Sequence, residues 1–175
     1  MWIIAAVRVA GSLPVLRWPF YGAILALLVD QSDLFMMNLI DLGGVTNYQA
    51  FDKYLDQVYL LAFLIVALRW QGLERNVAVG LYGFRFAGFL VFEATRSRGL
   101  LLFFPNLFEF WFLFVSGRRE FGLEDTLKGR RMAVILVALT ALKLFQEYAL
   151  HQARWLDGFT AVEAVEAIWH WVTPF

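Results

Sequence analysis

The chain has 175 residues, of which 61% are hydrophobic and 18% aromatic, with a mean hydropathy of +0.62. Soluble domains are about half apolar, so a water-soluble globule of this size could not bury the excess. Formal net charge is zero and no long basic run occurs, which removes the electrostatic footprint of a nucleic-acid binder, while the lack of cysteine removes disulfides, thiolate metal sites and thiol catalysis.

The opening stretch, MWIIAAVRVAGSLPVLRW, carries Arg8 inside its apolar run and Pro14 after it, with no small-residue cleavage site. It does not read as a removable signal peptide. About a dozen apolar residues around a charge are short for a span, so residues 1–18 are expected to form an interfacial helix anchored by Trp2 and Trp18. Five later segments reach the roughly 20 residues needed to cross a hydrocarbon core, near 19–41, 52–70, 77–95, 99–117 and 131–150. They must be helical, because lipid offers the backbone no hydrogen-bond partner and the sequence lacks the alternation of a barrel. After Asp157 and Gly158, the residues Phe159, Val162, Val165, Ile168, Trp169 and Val172 fall at helical spacing, which predicts an amphipathic tail helix over 158–173. The fold class is therefore all-α: one polytopic membrane bundle over 1–175, of about five spanning helices with interfacial helices at both ends.

Lys and Arg set the orientation. Arg8, Arg17, Arg69, Arg75, Arg118, Arg119, Lys128, Arg130 and Arg131 fall on one side of a five-span chain, with fewer basic residues opposite. The positive-inside rule makes that side, and the N-terminus, cytoplasmic, as in a multi-pass protein of a bacterial inner membrane.

Charge also lies within the spans. Counting inward from the Gly43-Gly44 turn, Asp56, Glu93 and Glu147 sit about one turn deep, Asp33 and Lys143 about two, and Asp30, Arg85 and Glu109 about three. An ionised group near the bilayer centre costs several kcal/mol, so these groups are expected to face one another or a wet cavity opening toward that turn. Arg85 and Glu109, on neighbouring antiparallel helices, are expected to form a buried ion pair. Asp30 with Asp33, and Asp52 with Asp56, each share a helical face through spacings of three and four. Four convergent carboxylates suit Mg²⁺, Mn²⁺ or Ca²⁺ and would repel one another without a cation. Asn106, after Pro105, could turn toward the cavity or help satisfy a carbonyl that the proline frees. Arg96 and Arg98, at the cavity mouth, could grip a phosphate or a lipid head group. His151 and His170 lie in different elements, so no haem pair is expected.

The strings DQSDLFMMN (30–38) and YQAFDKYLD (48–56) resemble, over about a fifth of the chain, the D-x-x-D-G-x-x-A-R and G-x-x-x-D-x-x-x-D motifs of the CDP-alcohol phosphotransferases. The resemblance implies a divalent metal pair held by Asp30, Asp33 and Asp52, with Asp56 also at the metal and in the position of the base that activates the acceptor hydroxyl. Leu34, Met37, Asn38 and Tyr48 stand where that family has glycine, alanine, arginine and glycine. The strings YQAFDKYLD and LFFPNLFE also resemble those of certain bacterial membrane proteins, a likeness that carries no activity with it.

Two function classes fit. One is a divalent-metal-dependent enzyme acting on a membrane lipid or lipid-linked phosphate. The other is a non-catalytic subunit of a membrane complex or a homo-oligomer, or a small transporter or proton pathway, in which the acids and bases pair among themselves.

Overall fold

The computed structural model describes residues 2–40, 48–95, 103–123, 129–148, 169, 170 and 173, and the side chains of 2, 3, 31–40, 48–52 and 147 are not among those described. Every regular element in these residues is helical: α1 (Trp2–Ser12), a 3-10 turn (Leu13–Leu16), α2 (Pro19–Ile40), α3 (Tyr48–Ala67), α4 (Gly72–Thr95), α5 (Leu107–Glu120) and α6 (Gly129–Glu147). Of these, Gly72–Thr95 is long and apolar enough, by length and composition, to cross a membrane. The tail helix expected over 158–173 falls outside the described residues except at Trp169, His170 and Thr173, where the Thr173 amide donates to the Trp169 carbonyl at 2.8 Å as a helical turn requires.

The segment expected to lie on the membrane surface is packed into the bundle instead. Gly11 lies against Val29, and Gly22 lies against Pro14 and Val15, while Arg8 reaches Asp30. Pairs that run in opposite order along the two segments define an antiparallel hairpin of α1 with α2. Pro14 ends α1, because a proline cannot continue a helix across its missing N–H. Gly22 permits the close return: a Cβ there would stand 2.4 Å from the Val15 amide nitrogen. Ile4 and Arg8 are consequently buried, and α1 packs on both α2 and α3.

The fourth expected span differs from its sequence reading as well. The stretch near 99–117 reads as one span that contains Pro105, but the described helix begins only at Leu107 and runs 14 residues. Proline disfavours helical geometry in the residue before it, so the FPN sequence delays the start rather than kinking the middle. Phe104 is then seated on α4, where a Cβ at Gly88 would come within 2.4 Å of the Phe104 Cβ. At about 1.5 Å rise per residue α5 is close to 21 Å long, shorter than a hydrocarbon core of roughly 30 Å.

The core is aromatic. Phe63 stacks on Phe112 at 4.3 Å between ring centres, Trp70 stacks on the other side of the group at 5.2 Å from Phe112, and Phe108, Trp111, Leu60, Val15 and Val115 are fully buried with them. Outside this core the usual distribution is inverted. Arg8, Asp56 and Lys143 are buried, whereas Leu28, Leu90, Val134 and Val137 are largely exposed, Val137 to 70%. Lone exposed apolar side chains are ordinary in any protein, but several helices presenting them outward while charges lie inside fits an apolar surrounding medium.

Replacing Gly22 with alanine forces a methyl group into backbone atoms that cannot move aside. Unfolding of the purified protein in detergent is expected to show Gly22→Ala destabilised by about 1–3 kcal/mol or more, as for overpacked cores. Gly80→Ala, where a Cβ meets nothing within 4 Å, is expected to be neutral or slightly stabilising because alanine favours the helix.

Candidate functional site

Side chains from α1, α2 and α3 build the first part of the site. Arg8, 3% exposed, points from α1 into the bundle, and its guanidinium contacts Asp30 of α2 and donates to Oδ1 of Asp56 on α3 at 2.8 Å. The second oxygen of Asp56, Oδ2, accepts from Lys53 Nζ at 3.0 Å, one turn earlier on the same helix. Asp30 and Asp56 therefore both reach one guanidinium. The side chains of Asp33 and Asp52 lie outside the described residues, so the four-carboxylate set expected from the sequence is represented by two members. Among the described residues, no three His, Asp or Glu side chains stand close enough to hold one metal ion.

The second part starts one turn further along α3. Tyr59, buried, donates its hydroxyl to Oε1 of Glu109 on α5, and the Asn106 side-chain amide donates to the same oxygen. The Asn106 amide also reaches the Tyr59 hydroxyl at 3.4 Å. The other oxygen, Oε2, faces Lys143 Nζ of α6 at 3.8 Å. Lys143 in turn donates to Gln146 at 2.9 Å and sits 5.6 Å from the centre of the Phe110 ring. Glu109 thus has two neutral donors on one oxygen and a cation near the other. This is the arrangement that allows a carboxylate to remain in a poorly solvated place.

The ion pair of Arg85 with Glu109 expected from the sequence is replaced by a different pairing. Arg85 donates to the Phe104 carbonyl at 2.9 Å, and the cation beside Glu109 is Lys143. The late start of α5 explains the exchange. Residues 103–106 are not α-helical, so Arg85, which lies within electrostatic reach of Glu109, meets a free backbone carbonyl before it. The Phe104 carbonyl, released from helical hydrogen bonding, takes the guanidinium instead.

Asn106 occupies the N-cap position of α5 but makes no capping bond to the backbone. Its side chain joins the Glu109 group, and its Oδ1 is buried with no hydrogen-bond partner among the described residues. Glu93 is half-buried near the end of α4. Arg96, Arg98, Glu147 and His151 lie outside the residues, or the side chains, that are described, and His170 is exposed in a separate segment.

Arg8 and Tyr59 were not singled out by sequence reasoning. Arg8 carried a signal that could have found it, since an ionisable residue inside an apolar run seeks an internal partner. Tyr59 falls three residues after Asp56 and seven after Asp52, on the polar face of α3.

A third group closes the opposite end of the bundle. Glu74 binds Arg118 at 3.2 Å and Arg119 at 2.7 Å, the Arg119 guanidinium also lies 5.5 Å from the centre of the Trp70 ring, and Arg69 donates to the Leu16 carbonyl. Between this end and the Tyr59–Glu109 group lies the aromatic core of Phe63, Phe108 and Phe112. Comparison with family models, curated proteins and solved structures finds no match for this chain, so its function is argued from its own residues.

Tyr59→Phe removes one of the two neutral donors to Glu109 without changing ring packing. Equilibrium unfolding in detergent is expected to lose about 1–3 kcal/mol, the range for a hydrogen bond to a charged group together with the penalty for a buried group left unmade. Tyr21→Phe, at an exposed tyrosine, is expected to change stability by less than about 0.5 kcal/mol.

Proposed function

We propose that the chain is a multi-pass integral membrane protein with its arginine-rich end toward the cytoplasm, and that its intramembrane charges form an internally neutralised core in a non-catalytic, membrane-embedded component. The observation that carries this reading is Asp56, each of whose carboxylate oxygens is held by a different cation, Arg8 and Lys53. A divalent metal at Asp30 and Asp56 would have to expel the guanidinium or sit against it, and like charges at such separations repel strongly in a medium of low polarity.

Four described helices support the membrane reading by length: α2 has 22 residues, α3 has 20, α4 has 24 and α6 has 19, against the roughly 20 that a hydrocarbon core requires. The outward-facing Leu28, Leu90, Val134 and Val137 suit lipid. A pathway for ions or protons through one copy finds less support. The polar groups stop at Tyr59 and Glu109, and the stacked rings of Phe63 and Phe112 occupy the next layer. In this reading the charges act on specificity: with Arg8 shared by two helices, only one register of α1, α2 and α3 leaves no charge alone.

The competing reading, a metal-dependent enzyme on a lipid phosphate, makes the opposite forecast in one experiment. Purified protein titrated with Mn²⁺ in a calorimeter is expected to give no saturable heat, and Asp56→Asn is expected to lower stability with or without Mn²⁺. Saturable Mn²⁺ binding that Asp56→Asn abolishes while the protein stays folded would establish the metal site and overturn the neutralised core. The membrane assignment is checked separately. The full chain is expected to stay with membranes through an alkaline carbonate wash, and its release into the wash would contradict it.

A further inference from the structure

Asp56 and Glu109 differ in what holds them. Each oxygen of Asp56 accepts a hydrogen bond from a cation, from Arg8 at 2.8 Å and from Lys53 at 3.0 Å. With a charged donor on both oxygens, no atom of Asp56 is left to carry a proton. Glu109 is held otherwise. Its Oε1 accepts from two neutral donors, the Tyr59 hydroxyl and the Asn106 amide, which serve the oxygen of a carboxylate and the carbonyl oxygen of a neutral acid alike. Its Oε2 makes no hydrogen bond to any described residue. Lys143 Nζ stands 3.8 Å from it, beyond hydrogen-bond reach, and donates to Gln146 at 2.9 Å. The group is also short of a proton as it stands: Asn106 Oδ1, on a side chain only 5% exposed, is buried with no hydrogen-bond partner among the described residues, and buried acceptors are rarely left so.

We infer that Glu109 is a proton-binding site, which takes one proton on Oε2 and passes from a carboxylate facing Lys143 to a neutral acid. The proton leaves a hydronium ion as water and forms the O–H bond on Oε2; nothing is oxidised or reduced, and the charge of the group rises by one. The ionisable groups facing Glu109 come from three helices: Asp56 and Tyr59 from α3, Arg85 from α4 and Lys143 from α6. The helix α2 also packs on α5, and its Asp30 goes to Arg8. Arg85 is tied to the Phe104 carbonyl, and Asp56 to Arg8 and Lys53, so the contact that the added proton changes is the one with Lys143. That contact joins α5 to α6, and proton uptake weakens it. The rings of Phe63 and Phe112 fill the next layer, so the proton enters and leaves on one side, and Glu109 is a terminus and not a step in a path across the membrane. The inference rests on the neutralised-core reading above and deepens it, by making one of the core carboxylates titrate.

The test is infrared difference spectroscopy of the full chain in phosphatidylcholine vesicles, comparing acid with alkaline buffer. A protonated carboxyl group has a carbonyl stretch that a carboxylate lacks. The wild type is expected to gain such a band on acidification, and E109Q is expected to lose it. Y59F removes the hydrogen bond to Oε1 and is expected to keep the band but move it to higher frequency, a shift that a carboxyl group elsewhere would not show. E120Q, at an exposed glutamate of the same helix, is expected to leave that band in place. A set of acid bands unchanged in E109Q, or one in which Y59F moves nothing, would overturn the inference; should E109Q not fold, Y59F decides alone. A protein that gives no saturable Mn²⁺ heat and also no Glu109 band would sink this inference and leave the neutralised core standing.

Discussion

A guanidinium buried among carboxylates from two other helices organises the amino-terminal half of this protein. Arg8 touches Asp30 and Asp56, and Lys53 takes the remaining oxygen of Asp56. None of the three helices could place its ionised group in an apolar bundle alone, because an isolated buried charge costs far more than any local packing returns. Together they can, provided α1 folds back against α2. That return depends on backbone contact at Gly22 and on Pro14 ending the first helix. A steric feature at one end of the hairpin and an electrostatic one further along it therefore require each other. Their joint effect is on register more than on net stability, since a buried ion pair often contributes little over a well-packed apolar pair while a broken one is severely unfavourable.

The same logic recurs around Glu109, with a different set of partners. Two neutral donors, Tyr59 and Asn106, share one oxygen, and Lys143 approaches the other. Asp56 and Tyr59 stand one turn apart on α3, so this helix carries both groups and links α1 and α2 on one side to α5 and α6 on the other. Beyond Tyr59 the helix turns wholly apolar in its buried contacts, through Phe63, Val66 and Ala67, to Trp70. The bundle is thus layered along its length: a neutralised polar layer, an aromatic layer, and a basic end where Glu74 gathers Arg118 and Arg119.

Much of the helix content was legible from length and hydropathy, because crossing a hydrocarbon core fixes how long an apolar helix must be. The helices Pro19–Ile40, Tyr48–Ala67 and Gly129–Glu147 lie close to their expected positions for that reason. What escaped depended on contacts between segments distant in sequence. Arg8 read as a surface charge because nothing local to residues 1–18 shows that Gly22 will admit Pro14 and Val15. Arg85 lies within electrostatic reach of Glu109 but donates to the Phe104 carbonyl instead of pairing with it, because Pro105 places the start of α5 at Leu107. The proline was visible, but whether it would kink a helix or postpone one depended on Phe104 seating against Gly88 of another helix. Helical spacing and a short loop direct Asp30 and Asp56 toward a common region, but nothing in the sequence shows that the group both of them reach is the Arg8 guanidinium.

A double-mutant cycle of Arg8→Leu and Asp56→Asn, read by equilibrium unfolding in a mild detergent, measures whether Arg8 and Asp56 neutralise each other inside the bundle. Each single change is expected to cost about 3–5 kcal/mol, as when one partner of a buried pair is removed. The double variant should cost clearly less than their sum, by a coupling of at least about 1.5 kcal/mol. Additive losses, with no coupling within about 0.5 kcal/mol, would mean that the two side chains do not meet and would contradict the account.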